Sequence, residues 1–215
     1  MNKEIDIDKY TEEIRKLDSE ISKEEKLDGL EIKYISRHYY IPLILSENEK
    51  IDFIKHIIKT KSEVDFIKDL ETFLNSKEKE ISEKFDWWYF SKIDETLDKV
   101  YVPYYNPSTN RIERFKPDFI FWFKKGNNYY IVFVDPKSIA YTGFEYKLDG
   151  FSQIFEENDN GTRKTKVFEY RAPDGSVFNV RVKVFIKPKS GECPERYEAY
   201  CINNIEEMFK FLEEN

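Results

Sequence analysis

Residues 113–138 read ERFKPDFIFWFKKGNNYYIVFVDPKS, and this stretch decides the fold that the sequence predicts. It contains two apolar runs, FIFWF at 119–123 and YYIVFV at 129–134, separated by the polar segment KKGNN. Apolar side chains on both faces are typical of a buried central strand. Glycine beside asparagine supplies the positive φ that a tight hairpin needs. We therefore expect two adjacent antiparallel strands in the middle of a sheet.

The register of this hairpin brings acidic residues together at its open end. A turn centred between Gly126 and Asn127 places Asp118 opposite Asp135, and Lys137 follows on the same face if the strand continues. Adjacent carboxylates repel each other, so the arrangement requires a lysine or, better, a divalent metal. The alternative is that these charges are ordinary strand-end residues in contact with water, because Pro-Asp and Asp-Pro are common in turns.

A family resemblance rests on these residues. Pro117-Asp118, a strand–turn–strand and Asp135-Pro136-Lys137 together resemble the motif of the PD-(D/E)xK nuclease superfamily. Residues 88–138 more closely resemble the carboxy-terminal nuclease domain of type III restriction enzymes, and residues 38–42 and 54–74 fit the same resemblance. The resemblance implies an α/β fold with a restriction-endonuclease-like core, a central mixed sheet with flanking helices, and an N-terminal helical extension.

The resemblance also implies a function. It predicts a Mg²⁺-dependent DNA endonuclease that hydrolyses phosphodiester bonds in a restriction system for phage defence. Asp118 and Asp135 would hold Mg²⁺, for which Mn²⁺ would substitute, and the Pro136 carbonyl would be a further ligand. Lys137 would orient the attacking water or stabilise the transition state.

An acidic residue from an earlier helix completes the metal site in such nucleases, and Glu63 is the main candidate here. A helix is predicted over residues 63–76, with Ser62 as its N-cap and Asp65 completing a capping box. Glu71, two turns later, is a second candidate. The alternative for Glu63 is that an acid in a first helical turn only favours the helix dipole.

The distribution of charge favours a nucleic-acid contact near the hairpin. The whole chain has a net charge of −7, which by itself argues against nucleic acid. However, residues 101–190 carry 15 Lys and Arg against 10 Asp and Glu. Arg114, Lys116 and Lys147 are the candidate DNA contacts, and plain surface charge is the alternative for each.

The remaining elements divide the chain into a helical extension with a short extended segment, at 1–60, and a core at 61–215. Hydrophobic spacing predicts helices over 1–28 and 50–60 around an extended stretch at 31–45. In the core it predicts a helix over 143–157, strands over 100–105, 164–170 and 176–187, a short strand and turn over 196–204, and a helix over 205–212.

The expected cellular location is inferred from sequence features that are absent. Cys193 and Cys201 have no metal-binding or redox spacing, and free thiols would suit a reducing prokaryotic cytoplasm. We expect no signal peptide and no membrane span, because no apolar run of about 18 residues exists.

The sequence has no phosphate-binding loop, so the ATP-driven motor of the restriction enzymes is missing. We expect either an excised carboxy-terminal domain or a stand-alone relative. The expected partners are DNA and the motor or methylation subunits of a restriction system, with a homodimer left open. Two alternatives remain: a catalytically silent nuclease-like domain that binds DNA or a subunit, and a structural interaction module.

Overall fold

The structure, a computed structural model, describes most of the chain from Thr60 onward and short segments before it. The described residues are 25–27, 30–33, 43–46, 58, 60–94, 96, 98–136, 143–159, 162–188 and 193–213. The chain divides into two units, Met1–Lys59 and Thr60–Asn215, and each is described by itself.

The first unit contains a three-stranded antiparallel sheet. Its strands, in spatial order, are β1 (Glu25–Leu27), β2 (Leu30–Lys33) and β3 (Leu43–Ser46). The helix predicted over 1–28 is wrong for residues 25–27, because Leu27 pairs with Leu30 across an Asp-Gly dipeptide that favours a hairpin. The rest of that prediction lies outside the described residues, as does the helix predicted over 50–60 apart from Ile58 and Thr60.

The second unit is built on a mixed five-stranded sheet. Its helices are α1 (Lys61–Lys84), α2 (Phe144–Phe155) and α3 (Ile205–Glu213), with a 3₁₀ helix at Glu195–Tyr200. Its strands are β4 (Trp87–Lys92), β5 (Val102–Asn106), β6 (Arg111–Phe115), β7 (Phe119–Lys125), β8 (Asn128–Asp135), β9 (Glu156–Asp159), β10 (Thr162–Thr165), β11 (Phe168–Arg171) and β12 (Val177–Ile186). The central sheet has the order β11-β12-β8-β7-β4, and two separate hairpins, β5–β6 and β9–β10, accompany it. The predicted α/β class with a central mixed sheet is confirmed.

The β7–β8 hairpin has the predicted register. Its pairs run from Phe119 opposite Val134 to Lys125 opposite Asn128, so the turn is centred between Gly126 and Asn127. Gly126 has a φ of +57°, the left-handed conformation that favours glycine at this position. β8 also pairs with β12 in parallel, which places β7 and β8 inside the sheet as expected.

The two faces of the sheet bury different elements. On one face, Phe66 of α1 packs against Phe119 and Phe121, and Phe209 of α3 contacts Trp88 and Phe123. On the other face, α2, the β5–β6 hairpin and the 3₁₀ helix share one core, which includes Ile120, Phe133, Leu148, Phe151 and Tyr197. The sheet is therefore covered on both sides, which explains its apolar strands.

The start of α1 corrects the predicted N-cap. The helix begins two residues earlier than expected, at Lys61, and Thr60 is its extended N-cap residue. The Thr60 carbonyl accepts the N–H groups of Glu63 and Val64, so Ser62 lies inside the helix and does not cap it. The helix also continues past residue 76 to Lys84, because Ile81 is buried on its apolar face.

The short strand predicted over 196–204 is wrong. Residues Glu195–Tyr200 form a 3₁₀ helix, and only Cys201 forms a bridge, parallel to Ile186 of β12. Tyr197 and Tyr200 are both buried, and a spacing of three residues places them on the same side of a 3₁₀ helix. Helices α2 and α3 confirm the predictions for 143–157 and 205–212.

Candidate functional site: a buried acidic edge of the sheet

Four strands of the central sheet end close together at the open end of the β7–β8 hairpin. Asp135 ends β8 and pairs with Ile186 near the end of the parallel strand β12. Asp118 immediately precedes β7, whose first residue, Phe119, pairs with Val134. Continuing this register by one residue sets Asp118 against Asp135, as the sequence predicted. Lys92 ends β4 opposite Phe119, and the next N–H, of Ile93, donates to the Asp118 carbonyl at 2.8 Å.

Four charged side chains are buried at this place, and we call Glu63, Lys92, Asp118 and Asp135 the acidic edge. Their exposed fractions are 5%, 9%, 3% and 4%, and they are the buried charged residues among the described part of the chain. Glu63 comes from the first turn of α1, which packs on the same end of the sheet through Phe66. Charged side chains are rarely buried without a partner or a function, so this edge is the candidate site.

Lys92 connects two of the carboxylates. Its Nζ lies 3.3 Å from Glu63 Oε2 and 3.4 Å from Asp118 Oδ1. The same ammonium lies 5.5 Å from the centroid of the Phe119 ring. The burial of this lysine is therefore compensated by two opposite charges and an aromatic face.

Lys92 is the site residue that the sequence reasoning missed. A signal for it existed, because Trp88, Phe90 and Lys92 alternate along β4 and the first two are buried on one face of the sheet. A lysine in register with two buried aromatics indicates a buried charge that needs acids nearby. No strand was predicted over residues 87–92, so the pairing of β4 with β7 was not expected.

The acidic edge contains three carboxylates and one lysine. Glu63 and Asp118 share the Lys92 ammonium, and Asp135 is a third buried carboxylate at the same end of the sheet. Oxygen ligands from carboxylates are those that Mg²⁺ prefers, so the chemistry of the donor set fits a hard divalent cation.

The arrangement of these side chains supports a metal site less strongly than their chemistry does. In the described part of the chain, no group of three or more His, Cys, Asp or Glu is arranged to hold a metal ion. Lys92 takes oxygen atoms of Glu63 and Asp118 that a metal would use. Pro136 is buried directly after Asp135, whereas Lys137 lies outside the described residues.

The three predicted DNA contacts have other partners. Arg114 is exposed, and its guanidinium stacks 4.7 Å from the centroid of the Tyr101 ring. Lys116 donates to the Asp98 carbonyl at 2.6 Å. Lys147 on α2 lies 5.1 Å from the centroid of the Phe115 ring. Glu71, the second helix candidate, is half-buried two turns beyond Glu63.

The expectation of free thiols is wrong. Cys193 and Cys201 form a disulfide, with their Cα atoms 6.3 Å apart. The 3₁₀ helix between them returns the chain to the sheet, so two cysteines eight residues apart meet beside the end of β12. The spacing of the two cysteines in the sequence did not predict the disulfide, because it is the intervening 3₁₀ helix that brings them together.

Comparison with known proteins identifies a family. Residues 54–183, more than half of the chain, match the YagJ family. The chain belongs to the YagJ family. The matched region of this YagJ-family chain includes all four residues of the acidic edge. No curated protein and no solved structure gives a significant match.

None of the helices among the described residues is long and apolar enough to cross a membrane.

Proposed function

We propose that this protein is a metal-dependent deoxyribonuclease that hydrolyses phosphodiester bonds, with a restriction-endonuclease-like core. The observation that carries the proposal is the acidic edge, where the hairpin register and the burial of three carboxylates coincide. The resemblance of Pro117-Asp118 and Asp135-Pro136-Lys137 to the PD-(D/E)xK motif supports the same class of chemistry.

The residues of the chain have distinct roles in this proposal. Asp118 and Asp135 would hold Mg²⁺, or Mn²⁺ in its place, and the Pro136 carbonyl and Glu63 would be further oxygen ligands. When bound, the metal lowers the pKa of a water molecule and neutralises the attacked phosphate. Lys137 donates to the phosphate oxygens, where such a contact is worth about 10² to 10³ in rate.

The DNA backbone needs cations outside the acidic edge. Arg114 is exposed on β6, four residues before Asp118, and it is the first candidate for a phosphate contact. Lys116 and Lys147 are weaker candidates, since both side chains are only partly exposed. The proposal includes a DNA substrate and, as partners, a restriction motor or methylation subunit and a second copy of the chain. It also includes a prokaryotic cytoplasm as the location.

A cleavage assay tests the proposed function directly. The purified chain, incubated with plasmid DNA and Mg²⁺ or Mn²⁺, is expected to cut it, and Asp118→Asn and Lys137→Ala are expected to lose at least about 10²-fold in rate. Asp65→Asn is the matched control, because Asp65 is an exposed acid of α1 with the same chemistry. Cleavage by Asp118→Asn at the rate of the control variant would remove the mechanism.

A second candidate function is a nuclease-like domain that binds DNA or a subunit without cutting. Lys92 favours it, because the ammonium already compensates two of the three acids and makes a metal less necessary. The two candidates differ in a titration of fluorescent duplex DNA with the chain in EDTA and in Mg²⁺. Binding in both conditions, with no product in Mg²⁺, supports the silent domain, and metal-dependent product supports the nuclease.

A further inference from the structure

The β5–β6 hairpin buries one of its faces and exposes large side chains on the other. The buried face joins the core around α2 through Val102, Tyr104 and Phe115. The opposite face, which we call the outer face, consists of Tyr101, Pro103, Tyr105, Ile112 and Arg114. Its three largest hydrophobic side chains, Tyr101, Tyr105 and Ile112, are exposed by 40%, 52% and 69%. Several large hydrophobic side chains exposed together often mark a binding surface.

The residues of the outer face are neighbours across the two strands. Tyr105 pairs with Ile112, and Pro103 pairs with Arg114. The Arg114 guanidinium lies 4.7 Å from the centroid of the Tyr101 ring, so Tyr101 continues the same face. The two tyrosines are four residues apart, which is about 13 Å along a strand. The outer face therefore presents two exposed aromatic rings with an arginine between them.

The hairpin is basic, although the whole chain has a net charge of −7. Residues 99–117 contain four cations, Lys99, Arg111, Arg114 and Lys116, against one acid, Glu113. The Glu113 carboxylate accepts hydrogen bonds from the Tyr104 hydroxyl at 2.8 Å and the Thr109 hydroxyl at 2.7 Å, within the hairpin itself. Arg111 and Arg114 are exposed. This local charge is complementary to a polyanion.

We propose that the outer face of the β5–β6 hairpin binds unpaired nucleotides of DNA. The bases stack on Tyr101 and Tyr105, and Arg111 and Arg114 contact the phosphates. Aromatic rings beside cationic side chains are the usual means of binding single-stranded nucleic acid, because every base has a face that can stack. This inference rests on the proposed function, because it names the form of DNA that the protein holds.

The position of the hairpin suits this role. Arg114 precedes Asp118 of the acidic edge by four residues, so their Cα atoms are at most about 14 Å apart. The packing of Gly150 of α2 against Tyr104 holds β5 close to the core, where a Cβ on the glycine would lie 2.4 Å from Tyr104 Cβ. A strand bound to the outer face is therefore held on a fixed element near the acidic edge.

The size and charge of the outer face favour DNA over a protein. A stable protein interface takes about 20 to 30 residues from each side, and the outer face has five. A second copy of the chain, docked on the same face about a twofold axis, would bring arginine against arginine. A DNA strand needs only a few stacked bases and neutralised phosphates.

The test compares two labelled strands of equal length, an oligothymidine and an abasic strand, by fluorescence anisotropy in EDTA. The wild type is expected to bind the oligothymidine more tightly, because the abasic strand has phosphates but no bases. Tyr105→Ala is expected to weaken oligothymidine binding by about 5- to 100-fold and to leave abasic binding unchanged. Tyr105→Phe keeps the ring and is expected to bind like the wild type. Arg114→Gln is expected to weaken the binding of both strands.

Tyr170→Ala is the matched control, because Tyr170 of β11 is 55% exposed and lies outside the hairpin. A Tyr105→Ala variant that binds oligothymidine as tightly as Tyr170→Ala would overturn the inference. So would a wild type that binds both strands equally or binds neither, and this comparison decides even if a variant misfolds. A dimer in sedimentation that Tyr105→Ala disrupts would assign the outer face to a second copy, which also overturns it.

The result is separate from that of the cleavage assay, because binding in EDTA requires no metal. If the wild type prefers the oligothymidine through Tyr105 but cuts no DNA in Mg²⁺, the nuclease proposal fails and the inference stands. If the chain cuts DNA but does not distinguish the two strands, the inference fails and the nuclease proposal stands. If it neither cuts nor binds, both fail.

Discussion

The strand pair β4–β7 has an acid–lysine pair at each end, and the two pairs differ in burial. At the turn end, Lys124 lies 2.8 Å from Asp86, with side chains 24% and 47% exposed. At the open end, Lys92 lies 3.4 Å from Asp118, with side chains 10% and 3% exposed. The chemistry is the same at both ends, and only the second pair is removed from water and shares its lysine with another acid, Glu63.

This difference makes the buried pair, rather than the exposed one, the candidate site. Water and salt screen the exposed pair, which contributes at most about 1 kcal/mol and has no excess charge to explain. Lys124 and the Gly126 N–H lower the pKa of Asp86, as ordinary hydrogen bonds to a surface carboxylate do. The buried pair belongs to a cluster in which Lys92 is shared between Asp118 and Glu63, and buried clusters of charged groups are common at functional sites.

The largest expected effect is a difference in the free energy of unfolding between variants at the two ends of the strand pair. Lys92→Met is expected to lower the free energy of unfolding by about 3 to 5 kcal/mol, because it leaves two buried carboxylates without their ammonium. Asp86→Asn at the turn end is expected to cost less than about 1 kcal/mol. Urea denaturation of both variants in EDTA measures the difference, and equal costs would show that burial does not distinguish the two pairs.

The disulfide provides the next test, because it lies beside the open end. Cys201 bridges to Ile186, which in turn pairs with Asp135. Replacing both cysteines by serine is expected to cost about 2 to 3 kcal/mol of unfolding free energy, the loop-closure contribution of a short loop. Denaturation of the wild type with and without reductant should give the same loss. If the double serine variant still cleaves DNA, the disulfide is not needed for the chemistry proposed at the acidic edge.

Two glycines extend the comparison to the packing and conformation of the backbone. A Cβ on Gly150 of α2 would lie 2.4 Å from Tyr104 Cβ and 2.9 Å from the Pro103 carbonyl oxygen, so Gly150→Ala forces α2 away from β5. We expect a cost of about 2 to 3 kcal/mol there. Gly126 at the hairpin turn has open space and a positive φ, so Gly126→Ala should cost only about 1 kcal/mol. Thermal denaturation of the two variants would contradict this order if Gly126→Ala proved the more harmful.

The smallest effect is a pH dependence of stability that comes from two buried tyrosines outside the acidic edge. Burial raises the pKa of Tyr200 from 10.0 to about 12, with the hydrogen bond to Glu156 as a second cause. Burial raises the pKa of Tyr104 to about 12 in the same way. The folded chain thus holds these phenol protons more tightly than the unfolded chain.

The sign of the effect follows from this tighter binding. The contribution of these two tyrosines to the free energy of unfolding is fully present below pH 10. It falls as the pH rises from 10 to about 12. Tyr200→Phe should flatten this decline, as measured by denaturation at several pH values in that range. A Tyr200→Phe variant whose decline is as steep as that of the wild type would assign the effect to other groups.

The sequence predicted the centre of the fold because the relevant signals are local. Gly126 and its two flanking apolar runs fix the register of β7 and β8, and that register alone sets Asp118 against Asp135. The helices around the sheet also followed from hydrophobic spacing.

The parts that the sequence did not predict depend on contacts between distant segments. Lys92 reaches Asp118 only because β4 pairs with β7 across 26 residues, and no local pattern states that pairing. The 3₁₀ helix and the Cys193–Cys201 disulfide depend on how residues 193–201 pack beside β12. Ser62 and Asp65 satisfied a capping template, but Thr60 starts the helix first.

The most direct test of the acidic edge is the anomalous diffraction of Mn²⁺-soaked crystals, collected for the wild type and for Asp118→Asn. We predict one anomalous peak in the wild type, in coordination contact with the carboxylates of Asp118 and Asp135, and no peak there in the variant. A wild type without a peak at these carboxylates, or with its Mn²⁺ bound elsewhere, would contradict the assignment of this edge as a metal-dependent site.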